Sequence, residues 1–178
     1  MEIRFHKDEK ELLQILALQK LNNRHTISQE ELVKEGFVTL THSLEDLLVI
    51  SGRAGHTVAV DNGKVVGYAL TMLSEYHSQI PGLGEMVAKI EEIEPQDDYL
   101  IMGQVCVARE YRGTDAFRKL YHHIKDQFID KYRGIYTEID DENPRSMRAH
   151  EKVGFTTLNQ YLNKAGKKWH LVYWDWKP

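Results

Sequence analysis

Residues 104–120 read Gln104-Val-Cys-Val-Ala-Arg-Glu-Tyr-Arg-Gly-Thr-Asp-Ala-Phe-Arg-Lys-Leu120, the end of an apolar strand run, a short turn and the opening of a helix. The strand spans Tyr99–Val107, and the helix is expected to begin near Arg112. Phe117, Leu120, Tyr121, Ile124 and Phe128 recur at helical spacing, so this helix presents one apolar face and must pack on a sheet. The first amides of such a helix have no partners within it, and its dipole places about half a positive charge there, which favours an anion. Gly113 permits close backbone approach, while Arg112 and Arg118 add charge. The segment therefore reads as an anion cradle, although many strand-turn-helix units with a glycine share this pattern, and plain architecture stands as the alternative.

On the N-terminal side, residues 2–6 alternate as a strand, and Asp8 can cap a helix running to about residue 20. Ser28-Gln29-Glu30-Glu31 opens a capping-box helix that stops near Gly36, and residues 43–52 form a third short helix. His56–Val60 and Val65–Leu70 flank Asp61-Asn62-Gly63-Lys64, a β-hairpin signal. Residues 74–98, rich in glycine and acid, carry no assigned element. On the C-terminal side come a strand at Ile135–Ile139 and a helix announced by Asn143-Pro144 that ends at Gly154. Phe155–Leu162 and Trp169–Trp176 then close a second hairpin around Asn163-Lys164-Ala165-Gly166. This order predicts an α/β fold with a mixed central sheet flanked by helices.

A chain of 178 residues fits one domain, residues 1–178, able to bury about 70% of the surface of its unfolded form. With 42% hydrophobic and 28% charged residues and only 4 prolines and 12 glycines, it is neither disordered nor low-complexity. The net charge of −4 conceals a division: residues 1–108 carry 9 basic and 17 acidic side chains, residues 109–178 carry 14 and 10. The basic surplus contains the cradle, which leaves open an anionic partner there or merely two differently solvated surfaces. The overall acidity argues against general nucleic-acid binding. Cys106 is the sole cysteine, so no intramolecular disulfide or multi-thiolate metal site forms, in keeping with a reducing compartment. No signal-peptide core and no stretch of ~20 apolar residues is present, and a cytoplasmic protein without a membrane span is expected. The adjacent His122 and His123 cannot face one site on a helix, so no metal centre is expected.

The second informative segment is Asp141-Glu-Asn-Pro-Arg-Ser-Met-Arg-Ala-His-Glu-Lys-Val-Gly-Phe155. Asn143 and His150 stand seven residues apart, nearly on one helical stripe and about 10 Å apart along it, so that a linear ligand could lie beside them. Together the two segments resemble the GNAT superfamily of N-acetyltransferases, whose acetyl-CoA loop reads Gln/Arg-x-x-Gly-x-Gly/Ala and whose later helix reads Asn-x-x-Ala-x-x-x-Tyr-x-Lys-x-Gly-Phe. The element order agrees along nearly the whole chain, and the resemblance implies a mainly antiparallel sheet. It also implies backbone contacts from Val105, Cys106 and Val107 to the pantetheine arm and a pyrophosphate loop formed by Arg112, Gly113, Thr114, Asp115, Ala116 and Phe117. By the same resemblance Asn143 meets the cofactor arm, and Gly154-Phe155 is the closing dipeptide.

Three residues depart from the family pattern. Asp115 replaces a glycine, and a carboxylate beside a pyrophosphate costs Coulomb energy unless it turns outward or caps the helix. Phe117 replaces glycine or alanine, so its ring is expected to pack inward with Leu120 and Tyr121. His150 replaces the tyrosine usually assigned to protonating the departing thiolate, a task an imidazolium can perform. The implied reaction is direct attack of a neutral amine, of a small molecule or a peptide, on the acetyl-CoA thioester. Amides near Val105–Val107 hold the carbonyl oxygen, and Cys106 is no nucleophile. Glu75, Glu138 and Asp140 are candidates for the base, and none is chosen. The acids from Glu85 to Asp98 would suit a cationic amine as an acceptor wall, or form a solvated surface. Trp169, Tyr173, Trp174 and Trp176 are expected to pack the last strand against the core or a second subunit, and the resemblance allows a homodimer. The competing reading is a non-catalytic acyl-CoA-binding or regulatory module, and a third is a transferase for a bulkier acyl donor.

Overall fold

Asn62 and Gly63 both adopt positive φ, +47° and +74°, the geometry whose twist matches that of flanking strands, and β2 (Thr57–Asp61) returns there as β3 (Lys64–Leu73). The computed structural model describes residues 1–52, 54–73, 83–93 and 98–177. With β1 (Glu2–Phe5), β4 (Tyr99–Val107), β5 (Gly134–Asp140), β6 (Thr156–Leu162) and β7 (Lys168–Asp175) these strands form one seven-stranded sheet in the order β1-β2-β3-β4-β5-β7-β6. Every neighbouring pair is antiparallel except β4 and β5. That parallel pair is short: Tyr99, Leu100 and Ile101 oppose Gly134, Ile135 and Tyr136, and pairing then stops. Beyond Ile101 the two strands part and leave a cleft in the middle of the sheet.

Helices cover both faces. Asp8 caps α1 (Glu9–Leu21), accepting the Glu11 amide at 3.0 Å. Ser28 closes its expected capping box on α2 (Gln29–Glu35), and Ser43 with Asp46 forms another on α3 (Leu44–Ser51). Leu12, Ile15 and Leu47 pack with Tyr68, Leu70 and Cys106 on one face. The same face carries α4 (Gly84–Ile93), where Met86, Val87 and Ile90 meet Met72 and Ile101. This helix lies inside the stretch that sequence periodicity left unassigned. The opposite face is covered by α5 (Ala116–Phe128), whose Leu120, Tyr121 and Ile124 are fully buried with Ala69, Leu100 and Ile135. At Gly67 a Cβ would stand 3.5 Å from the Leu120 side chain, so the strand admits the helix closely there.

The expected start of α5 near Arg112 is corrected to Ala116. A 3-10 turn at Arg109–Tyr111 comes first, and Gly113 at φ +79° breaks helical geometry. Thr114 Oγ then donates to Tyr111 O and accepts the Ala116 amide at 3.2 Å, making the intervening residues a loop. The last helix, α6 (Pro144–Val153), begins as expected with Asn143 accepting the Ser146 amide at 3.2 Å and ends at Gly154, φ +121°. Trp174 and Trp176 enter the core as anticipated, whereas Trp169 is only partly buried.

Candidate active site

A cavity of about 650 Å³ opens where β4 leaves β5, between the loop preceding α5 and one face of α6. Its β4 wall is an unpaired strand edge. The Ala108 amide bonds to Val66 O on the β3 side at 2.8 Å, and Cys106 O also points toward Gly67. By the alternation of an antiparallel ladder, the peptide groups of Val105 and Val107 face the other way, toward the cleft. Cys106 lines the cavity wall, while by the same alternation its peptide groups turn to β3. Its buried thiol, raised to about 12 by desolvation, is chemically inert.

Part of the loop before α5 faces this cavity. Gly113, Thr114, Asp115 and Phe117 line it, and a Cβ on Gly113 would meet nothing within 4 Å. Ala116 is the exception, fully buried in the core beneath the loop and absent from the lining. Asp115 does not confront the cavity as a bare charge: Lys119 lies 3.0 Å away and Arg118 3.9 Å, and the Lys119 contact holds its carboxyl below the ordinary range. Phe117 packs as anticipated, its ring 5.3 Å from that of Tyr121 and 5.1 Å from that of His150.

Arg112 reaches the cavity with its guanidinium already committed. It donates to Val107 O at 3.1 Å, to Glu35 O and Oε2 at 3.1 and 3.0 Å, and to Asn22 Oδ1. It therefore ties the ends of α1 and α2 to β4. The positive charge available to an anion comes instead from α6 and α5: Arg145, Arg148 and Lys152 line the cavity beside Arg118. Arg148 and Lys152 have no ion-pair partner among the described residues. Sequence reading missed this stripe, although Arg145, Arg148 and Lys152 recur three and four residues apart, one face of the helix.

Asn143 is buried, with both ends of its amide engaged: Oδ1 caps α6 and Nδ2 donates to Phe37 O at 2.9 Å. It fastens the segment after α2 across the cleft. His150 is also enclosed, 2% exposed. Its Nδ1 lies 2.8 Å from Ser146 O and its Nε2 2.7 Å from Tyr121 Oη. A carbonyl can only accept, so Nδ1 carries the proton and Nε2 accepts from the tyrosine. Burial pushes the imidazole down to about 4, so the ring is neutral near pH 7. Desolvation, with no compensating charge among the described residues, disfavours the imidazolium expected as the proton donor.

A second cavity, about 380 Å³, meets the first at Phe37, Val38, Val105, Asn143 and Ser146. Its wall is acidic and aromatic, with Glu85 of α4, Glu138 and Asp140 of β5, and Tyr161 and Trp169 of the last hairpin. Of the three base candidates, Glu75 lies outside the described residues. Asp140 is paired with Arg24 at 2.9 Å and Lys167 at 2.5 Å. Glu138 has no cationic partner among the described residues; it accepts from Tyr161 Oη. Burial, with Glu85 and Asp140 nearby, raises its carboxyl to about 7 despite that hydrogen bond. Of the acids anticipated as an acceptor wall, only Glu85 enters this lining; Glu94 and Asp97 lie outside the described residues.

A sheet split at one parallel pair, with an electropositive cavity on the split and an acidic cavity joined to it, is the architecture of an α/β transferase. The model of the acetyltransferase (GNAT) family matches residues 15–155, and the chain belongs to this family of acyltransferases. Solved structures agree over almost the full length. The ribosomal-protein-alanine N-acetyltransferase from Brucella melitensis is 20% identical, with 97% of this chain and 98% of that chain covered at a TM-score of 0.66. Ard1 from Thermoplasma volcanium is 11% identical, with 98% and 96% covered at 0.69. A chain of the NatC complex bound to Gag peptide and CoA is 14% identical, with 98% and 99% covered at 0.66. At these identities the likeness establishes the fold. No curated protein sequence matches the chain significantly.

Proposed function

We propose that this protein transfers the acetyl group of acetyl-CoA to an amine, of a small molecule or a peptide, in a ternary complex. The observation that carries the reading is the junction of the two cavities, one basic and one acidic, at Val105, Asn143 and Ser146. The residues fit an elongated anionic donor: backbone amides at Val105 and Val107, an open glycine loop at Gly113, and cations at Arg118, Arg145, Arg148 and Lys152. Acetyl-CoA, when bound, would supply an activated thioester whose C–S bond breaks as the amine nitrogen joins the carbonyl carbon, the sulfur leaving with the electron pair as the CoA thiolate, which takes its proton from solvent. The Val105 and Val107 amides are turned to the cleft, where they can stabilise charge on the carbonyl oxygen. Glu138 takes the proton that the amine loses. A carboxylate with a pKa near the working pH is well matched to that task, while Asp140, held between Arg24 and Lys167, is not. His150 keeps a place in the site as a neutral ring that fixes Tyr121 and forms the wall beside the junction.

The test begins with calorimetry of acetyl-CoA and CoA, followed by CoA release with a panel of amines. Binding of both together with amine-dependent release is expected. Failure of either to bind would reject the reading, and binding without release in Glu138-intact protein across the panel would favour a non-catalytic module.

A further inference from the structure

The last hairpin, β6 and β7, lies beyond the residues matched by the family model, yet it supplies one hydrogen-bond donor to each of the three carboxylates around the acidic cavity. Lys167 Nζ stands 2.5 Å from Asp140 Oδ2. The Lys164 amide lies 3.1 Å from Glu85 Oε2. Tyr161 Oη donates to Glu138 Oε2. Asp140 thus receives a cation and Glu85 a backbone amide, while Glu138 receives a neutral hydroxyl. Tyr161 reaches it from β6, across the intervening strand β7, since β5 is followed by β7 and then β6 in the sheet.

We propose that Tyr161 is the positioning residue for Glu138: its hydroxyl fixes the carboxylate facing the acceptor cavity. The proposal rests on the reading of Glu138 as the base. A carboxylate on a partly open wall has several rotamers, and a single strong donor selects one. The groups facing Glu138 are Tyr161, Glu85 and Asp140, with Lys167 and Arg24 behind Asp140. Glu85 and Asp140 disfavour its ionisation and Tyr161 favours it. Removing the hydroxyl while keeping the ring must therefore leave Glu138 holding its proton to higher pH.

The experiment is carbon NMR titration of labelled glutamate carboxyls in wild type and Tyr161→Phe, with Glu138→Gln used to assign the resonance. It needs no acceptor. Wild-type Glu138 should titrate near 7, and Tyr161→Phe should move its midpoint up by about one unit, the scale of a hydrogen bond to a charged group. CoA release with an aliphatic diamine and with a short peptide bearing a free N-terminus is read alongside. The acid limb of kcat/KM should move by the same amount in Tyr161→Phe, without a change in acetyl-CoA binding. An unmoved midpoint in Tyr161→Phe overturns the positioning role and leaves the base assignment standing. A moved midpoint with undiminished release in Glu138→Gln overturns the base assignment and the proposal with it.

Discussion

Replacing His150 by glutamine should flatten the acid side of the stability curve. The wild-type ring is neutral, with a donor on Ser146 O and an acceptor facing Tyr121, and its pKa is lowered from 6.5 to about 4 by burial. Below about pH 6.5 the unfolded chain binds a proton at this residue, whereas the folded chain does so only near 4. Stability is therefore lost as pH falls through that window, by up to about 1.4 kcal/mol per pH unit and about 3 kcal/mol in all. His56, lowered to about 3 by the same cause, adds a parallel loss that both proteins share. His150→Gln should be the less stable protein at pH 7.5, since it disturbs packing around Phe117 and Phe155. The gap should shrink by about 3 kcal/mol by pH 4. Urea unfolding at steps between pH 7.5 and 4, followed by the fluorescence of the buried Trp174 and Trp176, reads both curves. Curves of equal slope would mean that His150 protonates in the folded protein as readily as in the unfolded chain, and the assignment of a neutral, doubly bonded ring would be wrong.

Reversing the charge at Arg148 and Lys152 together should weaken acetyl-CoA binding about tenfold at low salt, with a smaller difference at high salt, as calorimetry at two ionic strengths would show. Leu120→Ala, at a fully buried position beneath β3, should cost about 2–5 kcal/mol by denaturant unfolding, the range for emptying a packed core site. Arg112→Met should loosen the tie among Glu35, Asn22 and Val107 and lower the melting temperature while leaving the salt dependence of acetyl-CoA affinity largely intact. A lost salt dependence would show that Arg112 meets the phosphates after all.

The elements that announce themselves locally were legible in the sequence. The Asn62-Gly63 turn, the Ser28 capping box and the Asn143-Pro144 start of α6 each depend on residues within a few positions of one another. The loop that lines the larger cavity was legible for the same reason, since Gly113, Thr114, Asp115 and Phe117 lie within five positions of one another. The start of α5 differs from the expected Arg112 because Gly113, at φ +79°, interrupts helical geometry and Thr114 accepts the Ala116 amide. Ala116 was assigned to the cavity by its place in the loop, whereas helix phase turns it into the core. The partners of Arg112 and the neutrality of His150 were beyond reach: Glu35 and Asn22 are distant in sequence from the one, and burial that neutralises the other is a property of the packed fold. The acidic cavity was the least legible, because Glu85, Glu138, Tyr161 and Lys167 come from α4, β5, β6 and the turn before β7 and meet only once the sheet closes.

The account turns on Glu138 acting at the meeting point of the two cavities. Its most direct measurement is the pH dependence of amine-stimulated CoA release in wild type and Glu138→Gln, with acetyl-CoA affinity determined on the same samples. Wild-type activity should fall as pH drops through about 7, where Glu138 gains its proton. Glu138→Gln should bind acetyl-CoA equally and release CoA at least about a hundredfold more slowly, the scale of lost general-base catalysis. Wild-type rates in Glu138→Gln, with the acid limb still in place, would contradict it.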